Sequence, residues 1–160
     1  MSRQTYSLPA KPMQQTLLFL MAVAAGAMLA IQAGLNSGLG RAVKSPVYGA
    51  FLSFVAGGVA LLAYCLVTRV PMGNIRRGFD LPWYYWMGGV LGAFYVFAII
   101  VLAPRLGVAL TIGLTVAGQM VFSLLIDHYG LMGIPVHPTN WLRVLGILLI
   151  IGGVVILRTN

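Results

Sequence analysis

Five apolar runs, each near the length of a bilayer-crossing helix, constrain this 160-residue chain more than any other feature. They cover roughly residues 15–36, 47–67, 82–103, 106–128 and 141–158. A helix needs about 20 apolar residues to cross the hydrocarbon, and each run supplies close to that. In lipid every backbone N–H and C=O must be satisfied within the protein, which a helix does segment by segment. The expected fold is therefore an all-α integral membrane domain of five transmembrane helices over residues 15–160. Residues 1–14 are polar, carry Pro9 and Pro12, and read as a mobile tail.

Punctuation supports these boundaries. Ser45-Pro46 is a capping residue followed by a proline suited to a first helical turn. Asp80 and Pro82 suggest a similar start for the third helix, with Trp83, Tyr84, Tyr85 and Trp86 as interfacial aromatics. Ala103-Pro104-Arg105-Leu106-Gly107 reads as a tight connector, so the third and fourth helices should be antiparallel neighbours. Pro135, Pro138 and Asn140 break the chain before Trp141 opens the fifth helix. The first run is too long for a signal-peptide core and leads directly into further spans, so it reads as a retained helix.

Charge bears on topology. Only 8% of residues are charged, against about a quarter in soluble domains, yet the net charge is +8. The cations are scattered singly through loops and form no stripe, which argues against nucleic-acid binding. A cytoplasmic N-terminus puts Arg3, Lys11, Arg69, Arg76, Arg77 and Arg143 inside and Arg41, Lys44, Arg105 and Arg158 outside. Six against four is a weak positive-inside bias, leaving single and dual topology both open.

Polar residues inside the spans carry the functional signal. Thr111, Thr115, Gln119, Ser123 and Asp127 recur every fourth residue and draw a seam along the fourth helix, with Gln119 near mid-span. Amides and carboxylates are costly in hydrocarbon, so the seam should face other helices or a wet cavity. Gln32 and Asn36 lie four apart on the first helix, with Asn36 near its end as a candidate cap. Ser53, Tyr95 and Arg105 are candidate wall or gate residues, and Asp127 is a candidate gate or coupling group. For each hydroxyl the plain alternative is a bond back to its own helix. Small residues at four-residue spacing, Ala22, Gly26, Ala30, Gly34 and Gly38, mark the first helix for close packing, within the chain or against a second copy. Gly49, Ser53 and Gly57, Gly88 and Gly92, and Ala109, Gly113 and Ala117 repeat the pattern on the next three.

Other chemistry is not encoded visibly. No span carries an acid at its middle, and there is no Walker, His-Glu-x-x-His or Gly-x-Ser-x-Gly motif. Two histidines and the single Cys65 are too dispersed for a metal site or an internal disulfide. The expectation is a non-enzyme with neither cofactor nor metal.

Several ordered patterns resemble one family. They are Gln32-x3-Asn36-x2-Leu39-Gly40-Arg41 with Ser45-Pro46, Ser53-Phe54-x2-Gly57, and Trp86-x-Gly88-Gly89-x2-Gly92-Ala93-x-Tyr95. Ala103-Pro104-Arg105-Leu106-Gly107 and Gly118-Gln119-x3-Ser123-x3-Asp127-x2-Gly130 complete the set. Together they resemble the YdcZ-like branch of the drug/metabolite transporter superfamily, from about residue 15 onward. The resemblance implies a multi-pass bacterial inner-membrane exporter of small molecules, working as an antiparallel homodimer or with a paralogous subunit. Where the related small multidrug exporters carry a glutamate in the first helix, this chain has only the amides Gln32 and Asn36. The substrate contacts expected on this view are Gln32, Asn36, Ser53, Tyr95, Thr115, Gln119 and Ser123, with Arg105 and Asp127 as gates. A channel lined by the seam, or a scaffold in which the seam is helix glue, are the other functions the pattern allows.

Overall fold

The computed structural model describes residues 12–159. The elements are α1 Pro12–Ala42, α2 Pro46–Val67, the single turn α3 Arg76–Phe79, α4 Met87–Leu106, α5 Val108–Tyr129 and α6 Trp141–Thr159. Short 3-10 turns occupy Met72–Ile75, Trp83–Trp86 and Leu131–Gly133. The five long helices are each long and apolar enough to cross a membrane. Of the tail expected over 1–14, residues 1–11 lie outside the described residues, and 12–14 already belong to α1.

Three boundaries differ from expectation, each for a local reason. α1 continues past Asn36 to Ala42, because Gly40 serves the helix as a close-approach residue and neither it nor Gly38 breaks it. At 31 residues it is about 46 Å long, well over the hydrocarbon thickness, so its last turns reach the headgroup layer. Asn36 is consequently not a cap. At the next junction the expected connector shrinks to one residue: α4 runs through Pro104 to Leu106, and Gly107 alone joins it to α5. Gly107 has φ 81° and ψ 154°, a region closed to side-chain-bearing residues. Asp80 closes α3 and does not start the next helix, which winds in through the 3-10 turn after Pro82. Ser45 behaves as expected, its Oγ accepting the Tyr48 N–H at 3.3 Å.

Packing is concentrated toward one face of the membrane, at the ends of the helices near Val43–Ser45 and Gly107. Ala33, Ile99 and Ala103 form one core with Tyr95, Val108 and Ile112 around it. Ala50, Val96 and Ile100 form a second, adjoining core. α1 and α2 touch backbone to backbone here. A Cβ on Gly49 would sit 2.8 Å from the Gly40 Cα, and one on Gly40 would overlap Ile100. Farther out, α6 lies, among the described helices, against α5 alone, with Gly113 close under Val154.

The opposite half is open. Among the described residues of α1 none before Ala33 is buried, and α2 beyond Ala50 and α4 before Val96 bury none either. The small-residue stripe expected to pack on α1 faces outward, since a Cβ on Gly26 or Gly34 would meet nothing within 4 Å. The face that packs is the adjacent one, Ala33, Asn36, Ser37 and Gly40, all buried. The two sides of α1 thus exchange the roles expected of them.

Candidate functional site

The seam on α5 does not stay on one side of its helix. Residues four apart advance about 400° around the axis, a drift of about 40° per step and about 160° from Thr111 to Asp127. Thr111, at the packed end, is completely buried. Its hydroxyl donates to the Gly107 carbonyl at 2.8 Å. Thr115 is half-buried and donates to the Ile112 carbonyl at 2.9 Å. Both hydroxyls are thus spent on their own helix. Gln119 and Ser123 are exposed on the chain's surface. Asp127, half-buried, has rotated toward α6, where Arg143 lies 3.5 Å from its carboxylate.

On the other side of the core, Gln32, Asn36 and Tyr95 meet in one notch between α1 and α4, together with Leu29, Ala33, Val96 and Ile99. The notch is too narrow for a water molecule. Gln32 sits at its exposed lip and Tyr95 in its half-buried wall. Asn36 is 6% exposed, yet its side chain makes no hydrogen bond among the described residues. Its amide atoms are not sealed from the surface, since no fully buried side-chain polar atom lacks a partner among the described residues. Ser37 beside it donates to the Ala33 carbonyl at 2.7 Å. Ser53 is half-buried on α2 and lines none of these recesses. The expected substrate contacts therefore fall into two sets, one in the α1/α4 notch and one along the outward side of α5.

The two expected gate residues lie at opposite faces of the membrane. Arg105 ends α4 and lines a recess of about 320 Å³ that also holds Arg41 and Lys44. Asp127 ends α5 at the other face, where the following loop folds back on it. His137 N–H donates to the Asp127 carbonyl at 2.9 Å, Thr139 N–H to His128 Nδ1 at 3.2 Å, and Arg143 to the His137 carbonyl at 3.2 Å. Asn140 Oδ1 accepts the Arg143 N–H at 2.9 Å and starts α6. Three participants went unnoticed in the sequence. Arg143 as the partner of Asp127 leaves no linear signal, since the intervening loop sets the contact. Arg41 and Lys44 could have been found, because the topology already puts them with Arg105 on one face. Among the described residues no three His, Cys, Asp or Glu side chains cluster.

Comparison with known proteins follows the same outline. The chain is 26% identical over 148 residues to the inner membrane protein YdcZ of Escherichia coli (strain K12), covering 92% of this chain and 99% of that one. No solved structure matches. The profile of the family described as "Putative inner membrane exporter, YdcZ" matches residues 17–156, nearly the whole helical domain. With five membrane-spanning helices and that match, the chain belongs to the YdcZ family of multi-pass inner-membrane proteins.

Proposed function

We propose that this chain is one subunit of a small-molecule exporter that works by alternating access as an antiparallel dimer, with a second copy or a paralogous subunit. The observation that carries the reading is the state of its intramembrane amides. Gln32 and Gln119 lie on the surface of the single chain and Asn36 lies in its notch, and none forms a side-chain hydrogen bond among the described residues. Hydrocarbon offers such groups nothing, so a solute, water or a partner subunit is needed to satisfy them.

Uneven packing supports the antiparallel arrangement. A second copy inserted upside down would set its packed end beside the open half of the first, so each face of the membrane would gain one solid layer. Two inverted copies around a midplane site reproduce the inverted repeat that many transporters carry within one chain. Gln32, Asn36, Ser53, Tyr95, Thr115, Gln119 and Ser123 are the proposed substrate contacts. Arg105 and Asp127 stand at opposite faces as gates. The narrow notch favours a carrier over a standing pore.

Replacing Gln119 by Leu tests the function. A thermal-shift panel of metabolites and drug-like cations on purified protein identifies ligands by the rise in melting temperature. The Q119L variant should stay assembled and lose the shift for those ligands. A scaffold would keep its assembly and show no ligand shift in either form.

A further inference from the structure

We propose that one anionic phospholipid seats between α2 and α4, its phosphate held by Arg41, Lys44 and Arg105 and one acyl chain lying along a phenylalanine-lined groove. The headgroup end is the recess of about 320 Å³ at the packed face, floored by the buried Ser37, Gly40 and Ile100. Three cations converge on it and no acidic side chain answers them. The chain has only two acids, and Asp80 and Asp127 both belong to the opposite face. The one ion pair among the described residues is Arg143 with Asp127.

Helix ends account for part of this charge, but not all of it. Arg41 and Arg105 sit in the last turns of α1 and α4, where each helix end presents about half a negative charge. The start of α2 lines the same recess through Ser45 and Pro46 and restores about half a positive charge. More than two positive charges remain for a ligand, which suits a phosphate and not a neutral headgroup.

Lys44 is held there against backbone preference. Its φ is 53°, in the left-handed region that helix ends usually give to glycine. The Ser45 N–H reaches the Gly40 carbonyl at 3.0 Å, the closing bond of that turn. A lysine costs about 1 kcal/mol more than glycine at such a position.

The apolar end continues from the same furrow. Val90, Phe94, Phe97, Val101 and Arg105 are spaced three or four apart, so one stripe of α4 runs from the groove into the recess. Val47, Phe51 and Phe54 do the same on α2. The groove has about 590 Å³ of space and an almost wholly apolar wall. Charge at the headgroup level and a tail-shaped channel below it describe a phospholipid rather than a soluble oxyanion.

The test uses the full chain in nanodiscs of phosphatidylcholine with graded phosphatidylglycerol. Native mass spectrometry of the released protein and thermal unfolding are the two readouts. Wild type should retain one phosphatidylglycerol and melt at a temperature that rises with its fraction. Lys44→Gly relieves the turn while removing one cation, so the fold should persist as binding weakens about five-fold, and Arg41→Gln should add a similar factor. Ala93→Trp fills the groove with all three cations intact and should also release the lipid. Equal binding of phosphatidylcholine, wild-type retention by K44G, or an equal melting shift with inorganic phosphate in pure phosphatidylcholine would each overturn the assignment.

Discussion

The two halves of this molecule follow different rules, although their composition is much the same. Near Val43–Ser45 and Gly107 the helices meet through Gly40, Gly49, Ala33 and Ala103, and side chains such as Ile99 are 2% exposed. Toward the other face the helices keep equally apolar sequences and touch little within the chain. Hydrophobicity therefore does not decide which half packs, because lipid is as good a solvent for leucine as another helix is. Small residues placed where three helices converge decide it. The half that lacks internal contacts also holds Gln32, Gln119 and Ser123 on its surface or at its border.

Mutations sharpen that contrast most strongly at the packed end. Ile99→Ala should cost about 2–4 kcal/mol in a reversible detergent-unfolding titration, since it empties a site sealed by α1, α4 and α5. Gly49→Ala should cost about 1–3 kcal/mol by forcing α1 and α2 apart at Gly40. Next in size is the ion pair. Asp127→Asn should lose about 0.2–1 kcal/mol, because both partners are more than a third exposed, and the loss should shrink in high salt. Smallest is Gly26→Ala in the open half, expected to change subunit stability by no more than about 1 kcal/mol, and in the stabilising direction. If the last variant instead abolishes function while leaving the subunit folded, the outward stripe on α1 is an intersubunit seam. A cost at Gly26 as large as that at Gly49 would erase the distinction between the halves.

The number and placement of helices were legible from apolar run length, because hydrocarbon leaves the backbone almost no choice. Their ends were less so. Gly38 and Gly40 look like loop residues by soluble-protein habits, yet both lie within α1, where Gly40 allows close approach, and the helix runs on to Ala42. Pro104 looks like a connector, yet α4 continues through it to Leu106 although its ring supplies no N–H to the helix. The seam was visible as a spacing, but its geometry was not. A four-residue period on a 3.6-residue helix must rotate, so one row of polar residues serves three different surroundings. Asn36 shows the same limit: its type and position were plain, while its burial depended on how far α1 continued. The pairing of Asp127 with Arg143 and the convergence of Arg41, Lys44 and Arg105 are properties of folded loops and neighbouring helix ends.

The most direct test of the central claim is the reactivity of a cysteine at position 119 in a chain whose Cys65 has been replaced by serine. In membranes, Gln119→Cys should react with a charged, membrane-impermeant maleimide at a rate comparable to a cysteine in the Leu131–Gly133 turn, and a ligand found in the thermal-shift panel should slow it. Labelling by a lipid-soluble maleimide alone, with none by the charged reagent from either face, would mean that Gln119 meets only hydrocarbon or solid protein and that no solute passes it.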